Sequence, residues 1–275
     1  MGTRHLQQPV LQRARLQPVN ASGRTASEKR CHCDPFRERG YTDGRVQRRA
    51  ELGEQLGYAA DTAVAVEMLA WQSAARGLHD DARLALDRAR ALTDRAGTTS
   101  VAAHQAITAA FCALCRGDLV QTAELLEARI AADGGVGPLG EPLGVAPDLV
   151  EAYVGLGRAD EAAVTPQQSS PLTAALVARC LALASDDDQA AAEAFEAALA
   201  AHARAPDAFE TARTRLLYGA RLRRGGRRVA AREQLRPALD AFAAMDLTAW
   251  GAAPPTSWPP PVRPPGLVGR WPPNR

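Results

Sequence analysis

Two cysteine groupings are the residues whose type and spacing come nearest to metal or redox chemistry: Cys31-His32-Cys33 and Cys112-Ala113-Leu114-Cys115. A structural zinc site takes four ligands, usually supplied as spaced Cys or His pairs. Here neither grouping has a matching second pair. Cys112 and Cys115 stand about one helical turn apart beside Phe111 and Leu114, where cysteine behaves as a small hydrophobe, and Cys180 follows an apolar helical run. Five cysteines, an odd number in a chain that reads as cytoplasmic, predict free thiols. His79, His104 and His202 are isolated and predict surface or hairpin-end positions. The stretch Gly134-Gly135-Val136-Gly137-Pro138-Leu139-Gly140 has no strand pattern before it and contains a proline, so it reads as an inter-helix loop rather than a phosphate cradle. Lys29 is the only lysine and is not part of a G-x-x-x-x-G-K-[ST] motif, which excludes a P-loop. The residues predict no catalytic group, no cofactor-binding residue and no metal ligand, and hence a protein that is not an enzyme.

Two charge runs remain. Arg221-Leu222-Arg223-Arg224-Gly225-Gly226-Arg227-Arg228 falls at a helix-turn-helix junction, where cations favour the end of the first helix. Asp186-Asp187-Asp188 has the complementary pattern, acids at the start of a helix that cap exposed amides. Over the whole chain, residues 1–49 carry eleven Lys/Arg against four Asp/Glu, whereas residues 50–250 carry 19 against 27. The acidic block is the reverse of a nucleic-acid-binding domain, whose affinity rests largely on phosphate neutralisation. Specific DNA binding is therefore not expected. No apolar run reaches the length of a membrane span, and Met1–Asn20 lacks the apolar core of a secretory signal, which together predict a cytoplasmic protein.

The elements that must carry these residues are helices. Hydrophobic residues make up 46% of the chain, mostly alanine and leucine, and 5% are aromatic, a helix-forming mixture large enough for a sizeable core. Residues 1–45 are basic and broken by Pro9, Pro18, Pro35, Gly23, Gly40 and Gly44, which predicts disorder. From Ala50 an Ala/Leu/Glu-rich helix runs to near Gly57, and helical periodicity continues almost to Trp250. Glycines then recur at 77, 117 and 157, each between two helical patterns, with Ala82, Ala123 and Ala162 five or six residues on. Gly226 with Ala231 repeats this, and Ser185 with Ala190 does so more weakly. Glycine suits the left-handed turn that ends a helix, and the alanine lets the next helix approach closely. Apolar stripes run along Ala82, Ala85, Leu86, Ala89 and Ala96, along Ala191, Ala194, Phe195, Ala198 and Leu199, and along Leu235, Ala238, Leu239 and Phe242. The period of about 40 residues predicts an all-α, right-handed solenoid of about five TPR-like antiparallel hairpins over residues 46–249. Residues 250–275 hold Pro254-Pro255, Pro259-Pro260-Pro261, Pro264-Pro265 and Pro272-Pro273, a proline-rich tail expected to be disordered.

Asp148-Leu-Val-Glu-Ala-Tyr-Val-Gly-Leu-Gly-Arg-Ala-Asp-Glu-Ala, with Ala178-Arg-Cys-Leu-Ala-Leu, Phe195-Glu-Ala-Ala-Leu-Ala-Ala-His and Phe209-Glu-Thr-Ala-Arg-Thr-Arg-Leu-Leu-Tyr-Gly-Ala-Arg-Leu-Arg-Arg, resembles the helical-repeat region of actinobacterial large ATP-binding LuxR-type transcriptional regulators. The resemblance covers roughly Ala50 to Trp250 and is sharpest from Pro147 to Phe242. It implies a sensor and interaction region, binding a protein partner or small effector on the concave repeat face. The sequence departs from that pattern by lacking the ATPase module and the C-terminal helix-turn-helix. Because GC-rich codons read in a wrong frame give Pro, Arg and Gly, a frameshift after about Trp250 and a misassigned start before Ala50 are the expectation, which would make the chain a fragment. The alternative is a free-standing TPR scaffold or adaptor unrelated to transcription.

Overall fold

In the computed structural model the described residues are 43–97, 99–132, 146–161, 170–247 and 249–250. All of them belong to one compact unit, and the chain's other unit, Met1–Cys33, lies outside them. Outside them too lie the expected tail from 251 on, nearly all of the segment 1–45, the glycine-rich stretch 134–140, and Cys31-His32-Cys33. The described residues form ten α-helices and no strand: α1 (Asp43–Leu56), α2 (Ala59–Ala75), α3 (His79–Ala96), α4 (Thr99–Cys115), α5 (Leu119–Ala132), α6 (Ala146–Gly155), α7 (Pro171–Ala184), α8 (Asp188–Arg204), α9 (Ala208–Arg224) and α10 (Arg228–Ala244). The fold is all-α. The first helix opens earlier than its periodicity predicted, so Gly44 and Arg45 sit in its first turn.

One device ends most of these helices. At Gly57, Gly77, Gly117, Gly157 and Gly226 the backbone is left-handed, with φ between +73° and +79°. In each case the following residue's N–H donates to the carbonyl five back: Tyr58 to Gly53, Leu78 to Ser73, Asp118 to Ala113, Arg158 to Tyr153 and Arg227 to Leu222. The glycine's own N–H donates to the carbonyl three back. These are Schellman caps, which satisfy helix-end carbonyls and reverse the chain within two residues. Gly97 closes α3 in the same left-handed region, at φ +64°. The left-handed glycines at 57, 77, 97 and 117 are thus spaced by single helices, half the 40-residue step visible in the sequence. A sixth Schellman cap ends α10 on Asp246, at φ +59°, with Leu247 donating to Phe242.

Helices joined by these turns pack on each other: α1 on α2, α2 on α3, α4 on α5 and α9 on α10, while α7 and α8 pair across Ser185. Close approach needs small residues behind the turn, and Ala63, Ala82, Ala123 and Ala231 there are buried. Behind Ser185 the buried residue is Ala191 rather than the expected Ala190, which is exposed, because α8 starts at Asp188 and turns the later alanine inward. Of the third hairpin, only α6 and a single 3₁₀ turn, Ala159–Glu161, are described. Successive hairpins also touch, α2 with α4, α4 with α6, α6 with α7, and α8 with α9.

The core departs from nearest-neighbour stacking. Phe209, Phe242 and Leu247 of the last hairpin pack with Ala74, Ala82, Phe111 and Cys112 of the first two, and Trp71 and Trp250 lie against the same cluster. Trp71 stacks on Phe111 at 4.5 Å between centroids and meets Phe209 edge-on at 5.2 Å. Burying Phe209 and Phe242 completely contributes about 2–3 kcal/mol each. In a simple repeat array only adjacent repeats would meet. Among the described residues no helix is long and apolar enough to cross a membrane.

Candidate functional site

Where α6, α7 and α9 meet, five charged side chains are brought together in the interior. Asp148 and Glu151 stand three apart on α6 and so share a face; Glu210, Arg213 and Thr214 do the same on α9, and Arg179 comes from α7. Arg179 is wholly buried and Arg213 is 2% exposed. Arg213 donates from Nη2 to Asp148 Oδ1 at 2.6 Å, and its Nε lies 2.8 Å from Glu151 Oε1, an ion contact rather than an aligned hydrogen bond. Arg179 pairs through Nη1 with Glu210 Oε2, while its Nε is 3.9 Å from Glu151. His202 of α8, also buried, places Nε2 3.1 Å from the Thr214 hydroxyl. The Arg213 guanidinium stands 5.5 Å from the centroid of the Trp250 ring, joining this cluster to the aromatic one.

Two guanidiniums face three carboxylates, and the environments separate the acids. Burial pushes Glu151 up, and the nearby Arg213 and Arg179 only partly offset it. Burial would also raise Glu210, but Arg179 and Arg213 together hold it below its usual value. Burial works against a charged Arg213, yet Glu151, Asp148 and Glu210 hold it firmly protonated. Burial pushes His202 down to about 4, helped by Arg179, so the imidazole is neutral at pH 7. Such shifted groups mark a functional-site candidate. Each carboxylate, however, is turned onto a guanidinium, which suits a brace between three hairpins better than acid–base chemistry. Removing one partner of such a buried pair leaves an uncompensated charge and is therefore strongly destabilising.

The sequence-predicted features fall as follows. Cys112 and Cys180 are buried free thiols, raised by burial to about 11 and about 12 respectively, and Cys115, half-buried, is also raised well above its usual value by burial. None is a thiolate at neutral pH. His79 is the first residue of α3, at a hairpin end, and His104 is half-buried on α4. His202 is a core residue, not a surface one, because α8 turns it onto Thr214. Asp187 caps α8, accepting from the Ala190 N–H at 2.6 Å. The acidic and basic runs meet: Arg221 binds Asp188 at 2.9 Å and donates to the carbonyls of Ala182 and Ser185, closing the end of α7. Leu239, expected in the apolar stripe of α10, is exposed, since the burying face there is set by Ala231, Ala238 and Phe242. Among the described residues no three His, Cys, Asp or Glu side chains are placed to hold a metal ion.

A shallow depression of about 460 Å³ lies away from the buried cluster, between α1 and the start of α2, lined by Arg45, Arg48, Leu52, Leu56, Tyr58 and Asp61 among others. The buried cluster is the feature sequence reasoning missed. Asp148 and Arg213 are 65 residues apart, and nothing in their local patterns links them. No family model matches the chain, no curated protein matches it, and no solved structure matches it.

Proposed function

We propose that the protein is a TPR-like helical-repeat module that acts in the cytoplasm by binding rather than catalysis, of the kind that senses or docks partners in LuxR-type transcriptional regulators. The observation that carries this reading is the recurrence of one turn: a left-handed glycine closes helix after helix, and the paired helices pack in succession. Such stacks present extended faces for a protein or a small effector. In this reading the partner site is the inner face shared by the first helices of the hairpins, where Trp71, Phe111 and Phe209 now pack with Trp250. A partner reaching that face displaces Trp250.

One observation favours the second reading, a free-standing scaffold. The last hairpin covers apolar surface of the first two, a closure that suits a self-sufficient unit. Translating the flanking DNA in every frame separates the two. A Walker motif upstream and a helix-turn-helix downstream support the regulator; intergenic sequence on both sides sinks it. Neither reading gives this chain a DNA-reading element, since the block 50–250 carries 27 acids against 19 arginines. A mobility-shift titration at physiological salt is expected to show no preference for promoter over scrambled duplex, and saturable submicromolar binding to the promoter alone would overturn that.

A further inference from the structure

Nine arginines among the described residues are held in ion pairs, and several others stand exposed without one. Arg49, Arg76, Arg83, Arg88, Arg90, Arg158, Arg179, Arg213 and Arg221 each pair with a carboxylate. Among the described residues Arg45, Arg48, Arg95 and Arg204 are exposed without such a pair, and on the last hairpin the arginines without one line up in a row. Arg228, Arg232 and Arg236 stand exposed at i, i+4 and i+8 along α10, with no carboxylate partner among the described residues. Arg232 reaches only the carbonyl of Arg228, through Nε. Arg223 and Arg227, at the adjoining turn, are also exposed and unpaired there. The cations crowd one another there: burial and the neighbouring Arg221 lower Arg224, and Asp188 offsets part of that.

Apolar residues share the face. At about 100° per residue, Arg228, Arg232, Arg236, Val229 and Leu239 fall within roughly one quarter to one third of the helix circumference. Val229 is 66% exposed and Leu239 40% exposed. The acids Glu233 and Asp240 border the face on one side. Three cations spaced about 6 Å apart with aliphatic side chains beside them match the stride of another helix bearing acids at every fourth position. They match a nucleic acid less well. The cationic row is only about 12 Å long, and a polyanion extending beyond it meets an acidic block with more carboxylates than arginines.

We infer that the outer face of α10 is a docking surface for an acidic amphipathic helix of a partner protein, held by Arg228, Arg232 and Arg236 and seated on Val229 and Leu239. This surface is separate from the inner face of the hairpins and does not depend on the regulator reading.

Fluorescence anisotropy of the full chain with a labelled helical peptide tests it. The peptide is about 14 residues long, with glutamates at every fourth position and leucines beside them, at about 150 mM salt. Saturable binding is expected, weakened about tenfold or more by Arg228→Glu with Arg232→Glu and Arg236→Glu. The milder pair Arg232→Gln and Arg236→Gln should weaken it in the same direction, and Arg95→Glu on α3 should leave it unchanged, with circular dichroism showing the fold intact in all three. Replacing the peptide's leucines by serine should also weaken binding about tenfold. The proposal is overturned if the peptide does not bind, if the α10 substitutions have no effect, or if the glutamine version of the peptide binds equally. It is equally overturned if serine for leucine is neutral, which would mean unspecific charge attraction. Tighter binding of an oligonucleotide through the same arginines would make nucleic acid the occupant instead.

Discussion

His202 illustrates how burial converts a titratable group into a pH-dependent stability term. Its pKa is pushed down to about 4 by burial, with Arg179 adding to the effect. In the unfolded chain a histidine titrates near 6.5, so between about pH 6.5 and about pH 4 the unfolded state binds a proton that the folded state refuses. Stability therefore falls as pH falls through that window, by about 3 kcal/mol in total. Glu151, whose pKa is raised, works the other way: its contribution is present at low pH and lost as pH rises through its folded value. The difference between two proteins isolates the histidine. Urea unfolding of the wild type and of His202→Gln, whose amide can still reach Thr214, should show a shallower acid loss in the variant; parallel curves would mean that His202 is solvated. Arg213 gives a second test. Arg213→Met removes the partner of Asp148 and leaves Glu151 only the longer contact with Arg179, and should cost about 3–5 kcal/mol, of which Asp148→Asn with Glu151→Gln should restore a large part. A loss under about 1 kcal/mol in urea would place the pair in solvent.

At the scale of elements, the turns are the part of the fold most legible in the sequence. Gly77, Gly117, Gly157 and Gly226 announce themselves because a left-handed residue strains any other side chain by about 1–2 kcal/mol. Gly57→Ala should cost about 1 kcal/mol, since a Cβ there meets nothing within 4 Å. Gly77→Ala should cost more, because the new Cβ comes 3.0 Å from the Ala249 Cβ. Asp246→Gly should be stabilising by up to about 1 kcal/mol, since its ion contact with Arg76 is long and the aspartate is exposed. Thermal melts that failed to rank the three in that order would count against the Schellman reading of the sixth turn. Less legible were the features fixed by distant partners. Ala191 rather than Ala190 faces inward because of where Asp187 caps α8, a one-residue phase that composition does not set. His202 reads as polar and therefore external until Thr214 is placed beside it, and no local pattern pairs Asp148 with Arg213. Cys112 and Cys115, by contrast, were readable as packing residues from Phe111 and Leu114 alone.

The whole described unit differs from an open repeat array in that its last hairpin closes over its first two. Trp250 stacks on Phe111 and Phe242 and meets Phe209 edge-on at 5.2 Å, so one side chain near the C-terminal end of the helical region covers a face begun by α2. Trp250→Ala should lower stability by about 2–3 kcal/mol, less than a fully buried tryptophan because the ring is only partly buried. Hydrogen exchange should then quicken together in α2, α4 and α9; quickening confined to α10 would show that the hairpins are held independently. The same closure bears on how the chain is made. Trp71 and Phe111 leave the ribosome long before Phe209 and Trp250, and at ordinary elongation rates the interval is on the order of ten seconds or more. Through that interval the nascent chain carries an aromatic face whose cover has not yet been synthesised, a surface of the kind that holding chaperones bind.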